Sequence, residues 1–343
     1  MYYPLLARYV SIIEGSTSTW GDLGQPLPAC LWVNSLKIQA AKVEAWLEAQ
    51  GFHWEPITWS IGGYRVWNWE KPGRSLPFVC GWYGVQEEIA RTAVQMLTPQ
   101  PGDRILDLCA APGGKTAQLA LAVGETGMVL ANERSLPRLS SLWSTITRLG
   151  LTNVLTSHAD GRDFAAPPHS FDRVLVDAPC SGEGTMRKKN KPKQATVQPP
   201  HPVSNSEETS HRLVAIQRQL LDRALALVKP GGIVVYSTCT FAPEENEAVV
   251  DAVVGDRGVI EPYDIPGLQR AAGLTHWQGQ NFRSDSVHAH RYWPHLNNTG
   301  GFFVARIRRT DTNLVPNPQA IEQAATTVQP VPGREAIAWL HNQ

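Results

Sequence analysis

Hydrophobic and polar positions follow two different patterns along the chain, and the change falls near residue 86. Before it, short apolar runs stand between turn signals, as in "CLWVNSLK", the helical "AAKVEAWLEAQG" and "IGGYRVWNW". The helical run ends on Gly51, and the runs on either side have the β-branched and aromatic content of strands. The order strand, helix, strand predicts a small N-terminal α/β domain over residues 1–85.

From residue 86, short β-branched runs alternate regularly with helical stretches. The strand-like runs are "RILDLC", "GMVLANE", "NVLTSH", "RVLVDAP" and "GIVVYSTC", and the helical ones include "GKTAQLALAV" and "HRLVAIQRQLLDRALALVKPGG". Strands that alternate with helices form crossover units, so residues 86–310 are predicted to have an α/β fold with a doubly wound, mostly parallel sheet. The run "GGFFVARIRR" is expected to add a closing strand to that sheet.

Two segments are polar and interrupt or follow this alternation. Residues 187–210 are basic at first and then rich in Pro and Ser, which predicts a loop. Residues 311–343 are predicted to form a polar C-terminal tail with one short helix, "REAIAWLHNQ".

Composition and charge limit the classes of function. The chain has 343 residues, of which 42% are hydrophobic, and this is ample for a buried core. Lys and Arg together number 31, as do Asp and Glu, so there is no global basic field, although a local basic surface is compatible with this balance. No apolar run approaches the roughly 20 residues of a membrane helix, and the N-terminus lacks the cationic start of a signal peptide. We therefore expect a protein that does not enter a membrane.

The five cysteines are scattered, at positions 30, 80, 109, 180 and 239, and none forms a CxxC pair. This pattern argues against a disulfide scaffold and against a zinc site, so we expect no bound metal. Free cysteines are typical of a reducing compartment, which predicts a cytoplasmic protein.

The segment "LDLCAAPGGKTAQLA" combines a strand, a glycine turn and a helix. In a doubly wound sheet such a turn lies at the carboxyl ends of the strands, where ligands bind. Gly113 and Gly114 allow close approach of a ligand, and the helix N-terminus offers free N–H groups. Glu133 follows Gly113 by 20 positions, as does the acid that binds ribose hydroxyls in nucleoside-binding sheets. The alternative is a tight turn without a ligand.

The letters "GGKT" also match the end of the phosphate-binding pattern GxxxxGK[ST], which would indicate a nucleotide hydrolase. The first glycine of that pattern falls on Cys109, and Pro112 stiffens the middle, so a triphosphate has no cradle. A nucleoside cofactor without a phosphate chain is preferred, and S-adenosylmethionine is the candidate. Asp160, in "HADGRDF" after the third strand, is then placed for the adenine edge, the alternative being a solvated loop acid.

Two cysteines follow neighbouring strands of the predicted sheet: Cys180 after the fourth strand of the series and Cys239 at the end of the fifth. Such strands lie roughly 4.8 Å apart, so both sulfurs are expected at the edge that carries the cofactor turn. Two thiols beside S-adenosylmethionine suggest methyl transfer to a weakly nucleophilic carbon, such as carbon 5 of a pyrimidine. A thiolate adds to carbon 6, carbon 5 becomes enamine-like, and loss of its proton releases the enzyme. The alternatives are two inert buried thiols or a redox disulfide.

This scheme needs two more groups besides a thiolate. Asp177 is placed to hold nitrogen 3 and the exocyclic amine of the base as charge develops there. Lys115 is placed to neutralise the same charge. One cysteine should have a lowered pKa from nearby cations or dipoles, but residue types alone leave open which of the two is the nucleophile.

Five motifs together resemble one known family. "DLCAAPGGKT", "NERSLPRL", "HADGRDF", "DAPCSGEGTMRK" and "YSTCTFAPEENEAVV" are similar, in this order, to the motifs of the RsmB/RsmF-like (Nop/Sun) RNA cytosine-5 methyltransferases. The resemblance covers roughly residues 83–310 and implies a class I, Rossmann-like methyltransferase domain. It implies Cys239 as the nucleophile and Cys180 as the group that assists proton removal and product release. It implies a cofactor site at these residues: Cys109, Ala110, Ala111, Pro112, Gly113, Gly114, Lys115, Glu133, Asp160 and Asp177.

The resemblance also implies an RNA partner. The target cytosine must be unstacked before a thiol can reach carbon 6, so a single-stranded or flipped nucleotide is expected, with ribosomal RNA as first candidate and transfer RNA as second. Arg187, Lys188 and Arg291 are predicted contacts to backbone phosphates, although each is about as well explained as a solvated surface cation. We expect a monomer with an RNA-positioning N-terminal domain. The alternative for the whole protein is a catalytically silent RNA-binding scaffold of the same fold.

One departure from the family pattern bears on the site. Family members often have Arg in an N-terminal "RVN" signature, where this chain has Trp32 in "LWVN". An exposed Trp can stack on a base, but a core position is the preferred interpretation.

Overall fold

The computed structural model describes residues 7–13, 25–187 and 207–311, with side chains described from residue 211 onward in the last range. Lys188, most of the predicted loop 187–210 and the predicted helix of the tail lie outside these residues. Within the described ranges, no helix has both the length and the apolar character needed to cross a membrane.

The N-terminal part contains an antiparallel sheet of four strands among the described residues, in the order β2–β3–β1–β4. Its elements are β1 (Ala29–Val33), α1 (Ala40–Ala49), β2 (Trp54–Pro56), β3 (Gly63–Val66), α2 (Leu76–Val79) and β4 (Tyr83–Val85). Helix α1 buries Val43 and Leu47 against Tyr64 and Val66 of the sheet. Gly51 follows the helix with a φ of 71°, the left-handed conformation that favours glycine after a helix end. The predicted strand, helix, strand order is confirmed, and β2 and β4 add to it.

The second and larger sheet has nine strands among the described residues. Its strands are β5 (Arg104–Asp107), β6 (Met128–Asn132), β7 (Val154–Ser157), β8 (Phe171–Asp177), β9 (Val228–Thr238), β10 (Gly258–Ile260), β11 (Ala271–Ala272), β14 (His290–Tyr292) and β15 (Phe302–Arg309), and a separate hairpin is formed by β12 (His276–Trp277) and β13 (Gln280–Asn281). The spatial order is β11–β14–β15–β9–β8–β5–β6–β7, with β10 paired to β15. The strands from β5 to β9 pair in parallel, and β15 is antiparallel to β9.

Helices cover both faces of this sheet, as expected for a doubly wound, Rossmann-like domain. They are α3 (Thr92–Leu97), α4 (Gly114–Val123), α5 (Leu136–Leu149), α6 (Glu207–Leu227), α7 (Glu247–Val254) and α8 (Pro294–Asn297). Successive residues of a strand point to opposite faces, and β8 shows this clearly. Leu175 packs with the cluster that includes α3 and α4, whereas Val174 and Val176 pack with the cluster that includes α6. The predicted fold class is confirmed, including the closing strand β15.

The register of the parallel strands brings their carboxyl ends to one edge. Asp177 at the end of β8 pairs with Ser237 of β9, and Leu175 pairs with Asp107 at the end of β5. The residues that follow these three strands therefore meet, and they include both cysteines and the glycine turn.

The N-terminal sheet lies against the end of α5, beside the same edge. The buried Asn34 donates from Nδ2 to the carbonyls of Gly81 and Leu149, at 3.0 and 2.9 Å. Arg148 donates from Nη1 to the carbonyls of Phe78 and Tyr83, at 2.9 and 3.1 Å. These contacts fix one wall of the site described next.

Candidate active site

The sulfur atoms of Cys180 and Cys239 lie 3.4 Å apart, at hydrogen-bond distance, and both are half-buried thiols outside any disulfide. The predicted juxtaposition is confirmed. The hydrogen bond to Cys239, followed by burial, raises the pKa of the Cys180 thiol well above its usual range. Cys180 therefore keeps its proton near neutral pH and can donate it to the sulfur of Cys239.

A carboxylate and a cation stand beside the thiols. Lys115 Nζ lies 2.7 Å from Asp177 Oδ2, and Ser237 donates from Oγ to Asp177 Oδ1 at 2.9 Å. The ammonium of Lys115 also lies 5.3 Å from the centroid of the Phe302 ring, within cation–π range. Asp177 and Lys115, singled out from the sequence, are thus brought together, whereas Ser237 and Phe302 were not anticipated.

The glycine turn is shaped by close packing. Gly113 has a φ of 103°, and a Cβ there would lie 2.9 Å from Leu142 Cδ1, so another residue would be strained and crowded. Arg138 donates from Nη2 to the carbonyl of Ala111 at 2.7 Å, and Thr145 donates from Oγ1 to that of Pro112 at 2.8 Å. The turn is held from outside and its inner side faces a cavity.

That cavity has a volume of about 600 Å³ and lies between the N-terminal sheet and the glycine turn. The turn contributes one wall, from Cys109 to Lys115 without Gly113, and Trp32 with residues 84–87 contributes another. Asp107, Asp177 and Cys239 line it as well. The nucleophile candidate and the residues of the glycine turn therefore line the same cavity.

Asp107 is a candidate site residue that the sequence pattern did not reveal. It is 1% exposed; its Oδ2 accepts a hydrogen bond from Thr116 Oγ1 at 2.7 Å, and its Oδ1 has no partner in the described part of the chain. Burial raises the pKa of this carboxyl to about 7. An unpaired carboxylate oxygen beside an open turn fits a cationic ligand, and S-adenosylmethionine has both a sulfonium and an ammonium. The only hint in the sequence was its position at a strand end.

Glu133 and Asp160 follow the next two strands, β6 and β7, along the same edge. Glu133 is 2% exposed, accepts from the backbone N–H of Ser135 at 2.9 Å and pairs with Arg138 at 3.2 Å. Hydrogen bonds from Arg162 lower the pKa of Asp160 to about 2. Neither acid lines the cavity, so their roles at ribose and adenine stay predictions.

Comparison with known proteins identifies the family. The model of the family described as 16S rRNA methyltransferase RsmB/F matches residues 94–308, which is more than half of the chain. The chain belongs to the RsmB/F methyltransferase family. S-adenosylmethionine is accordingly its cofactor, and the resemblance of the five motifs to this family is confirmed.

Relatives of known name support this family over most of the chain. A 28S rRNA (cytosine-C(5))-methyltransferase of Mus musculus is 36% identical over 88% of this chain and 38% of its own length. Ribosomal RNA small subunit methyltransferase F of Serratia proteamaculans is 36% identical over 83% of this chain and 58% of its own length. The chain thus spans between about two fifths and three fifths of these two relatives.

A solved structure is similar to this chain over most of its length. A methyltransferase homologue from Pyrococcus horikoshii has a TM-score of 0.73 and 29% identity, and the match covers 90% of this chain and 95% of that one.

Two of the predicted RNA contacts in this RsmB/F chain are corrected by the structure. Arg291 is 3% exposed and is bound through Nε, at 2.7 Å, and Nη2 to the buried carboxylate of Glu247. Arg187 is 5% exposed and donates to the carbonyls of Gln25, at 3.1 Å, and Thr299, at 3.3 Å. Exposing either guanidinium to a phosphate would leave buried partners unpaired, which is costly. Both arginines hold the fold, and Lys188 lies outside the described residues.

The loops that carry the two cysteines are joined by a network that the sequence reasoning missed. Glu183 Oε2 accepts hydrogen bonds from Tyr9 Oη at 2.8 Å, from Thr240 Oγ1 at 3.0 Å and from the backbone N–H of Phe241 at 3.2 Å. The hydroxyl of Ser181 lies 2.7 Å from that of Thr240. Glu183 stands inside the motif "CSGEG", but nothing in the motif indicates its partners.

Trp32 is buried, as preferred from the sequence, yet it also borders the cavity. It is 3% exposed, and its indole Nε1 has no partner in the described part of the chain. A Cβ at Gly84 would lie 2.3 Å from its ring, so this glycine is needed for the close approach of strand β4.

Proposed function

We propose that this chain transfers a methyl group to carbon 5 of a cytosine in ribosomal RNA, through a covalent bond between Cys239 and carbon 6 of the base. One observation carries the proposal: two thiols 3.4 Å apart lie beside the Lys115–Asp177 pair and the glycine turn, and Cys239 opens into the same cavity. Neither a simple binding module nor a phosphate-loop hydrolase needs this combination of groups.

Each thiol has a distinct role in this proposal. Cys180 donates a hydrogen bond to the sulfur of Cys239 and so favours the thiolate that attacks carbon 6. The thiol of Cys239 releases its proton to solvent and its sulfur bonds to carbon 6, while nitrogen 3 takes up a proton as the ring electrons shift, which makes carbon 5 enamine-like. After methylation, the carbon 5 proton is lost to solvent with the assistance of Cys180, the ring double bond forms again as the bond to Cys239 breaks, the sulfur leaves as a thiolate, and nitrogen 3 gives up its proton.

Asp177 and Lys115 stabilise the charge that develops on the base. The carboxylate of Asp177 accepts hydrogen bonds from nitrogen 3, when protonated, and from the exocyclic amine, which stabilises the adduct. Ser237 and Lys115 hold this carboxylate in place, at 2.9 and 2.7 Å. Lys115 also keeps the local charge balanced as the ring accepts electrons.

S-adenosylmethionine supplies the methyl group when it is bound in the turn from Cys109 to Lys115. Gly113 provides the positive φ that this turn needs, Gly114 lines the cavity, and Asp107 offers a carboxylate to the positive charge of the cofactor. Glu133 and Asp160 are proposed to hold the ribose hydroxyls and the adenine edge, because they follow the next strands along the same edge of the sheet.

The substrate class rests on the relatives, whose names specify cytosine-C(5) of 28S rRNA in one case and ribosomal RNA of the small subunit in another. We propose ribosomal RNA as the substrate and transfer RNA as the second candidate. Residues 1–85 are proposed to position the RNA, residues 86–310 to carry out the reaction, and the target cytosine to be unstacked when it enters the cavity.

The direct test is incubation of the purified protein with methyl-labelled S-adenosylmethionine and separate unmodified ribosomal and transfer RNA pools, followed by nucleoside analysis. The proposal predicts label in 5-methylcytidine from the ribosomal pool, and none with Cys239→Ser. Label in any other nucleoside, or undiminished activity of Cys239→Ser, would contradict it. A protein that binds S-adenosylmethionine and RNA but transfers no label to either pool or to ribosomal subunits would be the silent scaffold.

A further inference from the structure

Arg148 lies in the last turn of α5 and lines the cavity that also contains Cys239. Its guanidinium carbon lies 3.7 Å from the centroid of the Phe78 ring, so the planar group is stacked on the aromatic face. Its Nη1 donates hydrogen bonds to the carbonyls of Phe78 and Tyr83. The side chain is therefore fixed in orientation by the N-terminal sheet while it belongs to the methyltransferase domain.

The charge of Arg148 is not balanced by an acid. Among the described residues, no carboxylate lies within 4.0 Å of its guanidinium, and Nε and Nη2 have no hydrogen-bond partner. The other cation at the cavity, Lys115, is paired with Asp177. Partial burial lowers the pKa of Arg148, which shows that the site costs the charge some of its hydration. A half-buried cation without a counter-ion is disfavoured unless an anion joins it.

The anion has to enter the cavity with the substrate. If cytosine is held beside Asp177 and Cys239, the phosphates of the same nucleotide and of its neighbours reach the rim of the cavity. A guanidinium in a fixed plane binds phosphate through two parallel hydrogen bonds, which a mobile lysine does less well. We propose that Arg148 binds a backbone phosphate adjacent to the target cytosine, a role that rests on the proposed function.

The phosphate site is then formed by residues of both domains. Phe78 of α2 supplies the stacking surface and Arg148 of α5 the charge, so RNA seated in the cavity contacts the two domains together. It also supplies the cationic contact that the buried Arg187 and Arg291 do not provide.

The test compares Arg148→Gln with a matched control, Arg223→Gln. Arg223 is also half-buried, donates to the main-chain carbonyls of Phe164 and Ala166, and has no carboxylate within 4.0 Å among the described residues, but it does not line the cavity. The dissociation constant of an unmodified ribosomal RNA transcript is measured at several salt concentrations, together with that of S-adenosylmethionine. Methyl transfer by the wild-type protein is followed in the same preparations.

Arg148→Gln should weaken RNA binding about tenfold and lower the slope of log affinity against log salt by about 0.7, as for one phosphate contact to a single strand. Affinity for S-adenosylmethionine should stay within about twofold, and Arg223→Gln should leave the slope unchanged. Equal slopes in both variants would overturn the proposal. Loss of cofactor affinity with unchanged RNA affinity would overturn it too, since Arg148 would then bind the cofactor carboxylate.

A second measurement covers the case in which Arg148→Gln does not fold. Once the methylated cytosine is mapped, a neutral methylphosphonate is placed at the phosphate on either side of it. Binding by the wild-type protein should fall about tenfold at one of the two positions, and Arg148→Lys should lose affinity for native RNA and respond less to the same change. Wild-type protein that tolerates both methylphosphonates would contradict the phosphate site. Because the salt-dependence test of Arg148→Gln measures binding alone, a failure of methyl transfer would count against the proposed function and not against the phosphate site.

Discussion

At the scale of single residues, the reactive groups are held by specific partners. Cys180 donates to Cys239, Asp177 is held between Lys115 and Ser237, and Asp107 is fixed on one side by Thr116 while its other oxygen stays unpaired. Such fixed neighbours reduce the reorganisation needed during a reaction.

The charge of Asp177 should be essential to turnover. Asp177→Asn should lower kcat by about 10²- to 10⁴-fold, because the developing charge on the cytosine loses its acceptor. Asp172→Asn is the matched control, since Asp172 lies at the other end of the same strand β8 and pairs with Lys229. Steady-state methylation of RNA measures both variants. A kcat of Asp177→Asn within a few fold of wild type would refute the assigned role.

Asp107 should make the fold less stable as pH rises. An acid whose pKa is raised in the folded state, here to about 7, binds its proton more tightly folded than unfolded. The free energy of unfolding therefore falls from about pH 4 to pH 7 and then levels, by up to about 4 kcal/mol for this one group. Asp107→Asn should lack this part of the pH dependence.

Urea unfolding between pH 4 and pH 8 measures how the free energy of unfolding of wild type and Asp107→Asn depends on pH. Asp256→Asn, at an exposed position, is the control for the loss of one carboxylate. A constant difference between wild type and Asp107→Asn across that range would show that Asp107 has no raised pKa.

At the scale of elements, the two cysteine loops and the N-terminal segment 7–13 form one unit around Glu183. Tyr9 reaches the carboxylate of Glu183 and packs its ring 5.9 Å from that of Phe241, which follows the Cys239 loop. The backbone N–H of Gly184 donates to the carbonyl of Cys239 at 2.8 Å. The distance between the two sulfurs is thus set by loops that depend on a shared carboxylate.

Removal of that carboxylate should disturb catalysis from a distance. Glu183→Ala leaves three donors without an acceptor, so kcat should fall about 10- to 100-fold and the free energy of unfolding by about 1–3 kcal/mol. Glu183→Gln keeps one oxygen and should restore most of both quantities. Methylation kinetics and urea unfolding provide the readout. If Glu183→Ala and Glu183→Gln behave alike, the hydrogen bonds to this side chain do not position the loops.

The elements and the main site could be predicted from the sequence, because they depend on a periodic pattern or on residues close together along the chain. Alternating runs determine strands and helices, and parallel strands that end together bring Cys180, Cys239 and the glycine turn to one edge. Contacts between distant positions could not be predicted. Arg291 stands 44 positions from its partner Glu247, and Tyr9 stands 174 positions from Glu183. A charged residue in a motif indicates neither its burial nor its partner.

At the scale of the whole molecule, one cavity is lined by several of the elements that carry candidate functional residues. The N-terminal sheet, α5, the glycine turn and the cysteine loops all contribute to its walls, and the phosphate site proposed at Arg148 joins the two domains. Cys239 and the glycine turn both line this space, so the central claim is the covalent step proposed to take place there.

The measurement that tests this claim most directly is denaturing electrophoresis of wild-type, Cys180→Ala and Cys239→Ala proteins after incubation with S-adenosylmethionine and labelled ribosomal RNA. Cys180→Ala should accumulate a protein–RNA species that survives denaturation, because the bond between Cys239 and the cytosine forms but is not broken again. Cys239→Ala and the double variant should show none. A stable species with Cys239→Ala and none with Cys180→Ala would reverse the two roles, and its absence from every variant would contradict covalent catalysis.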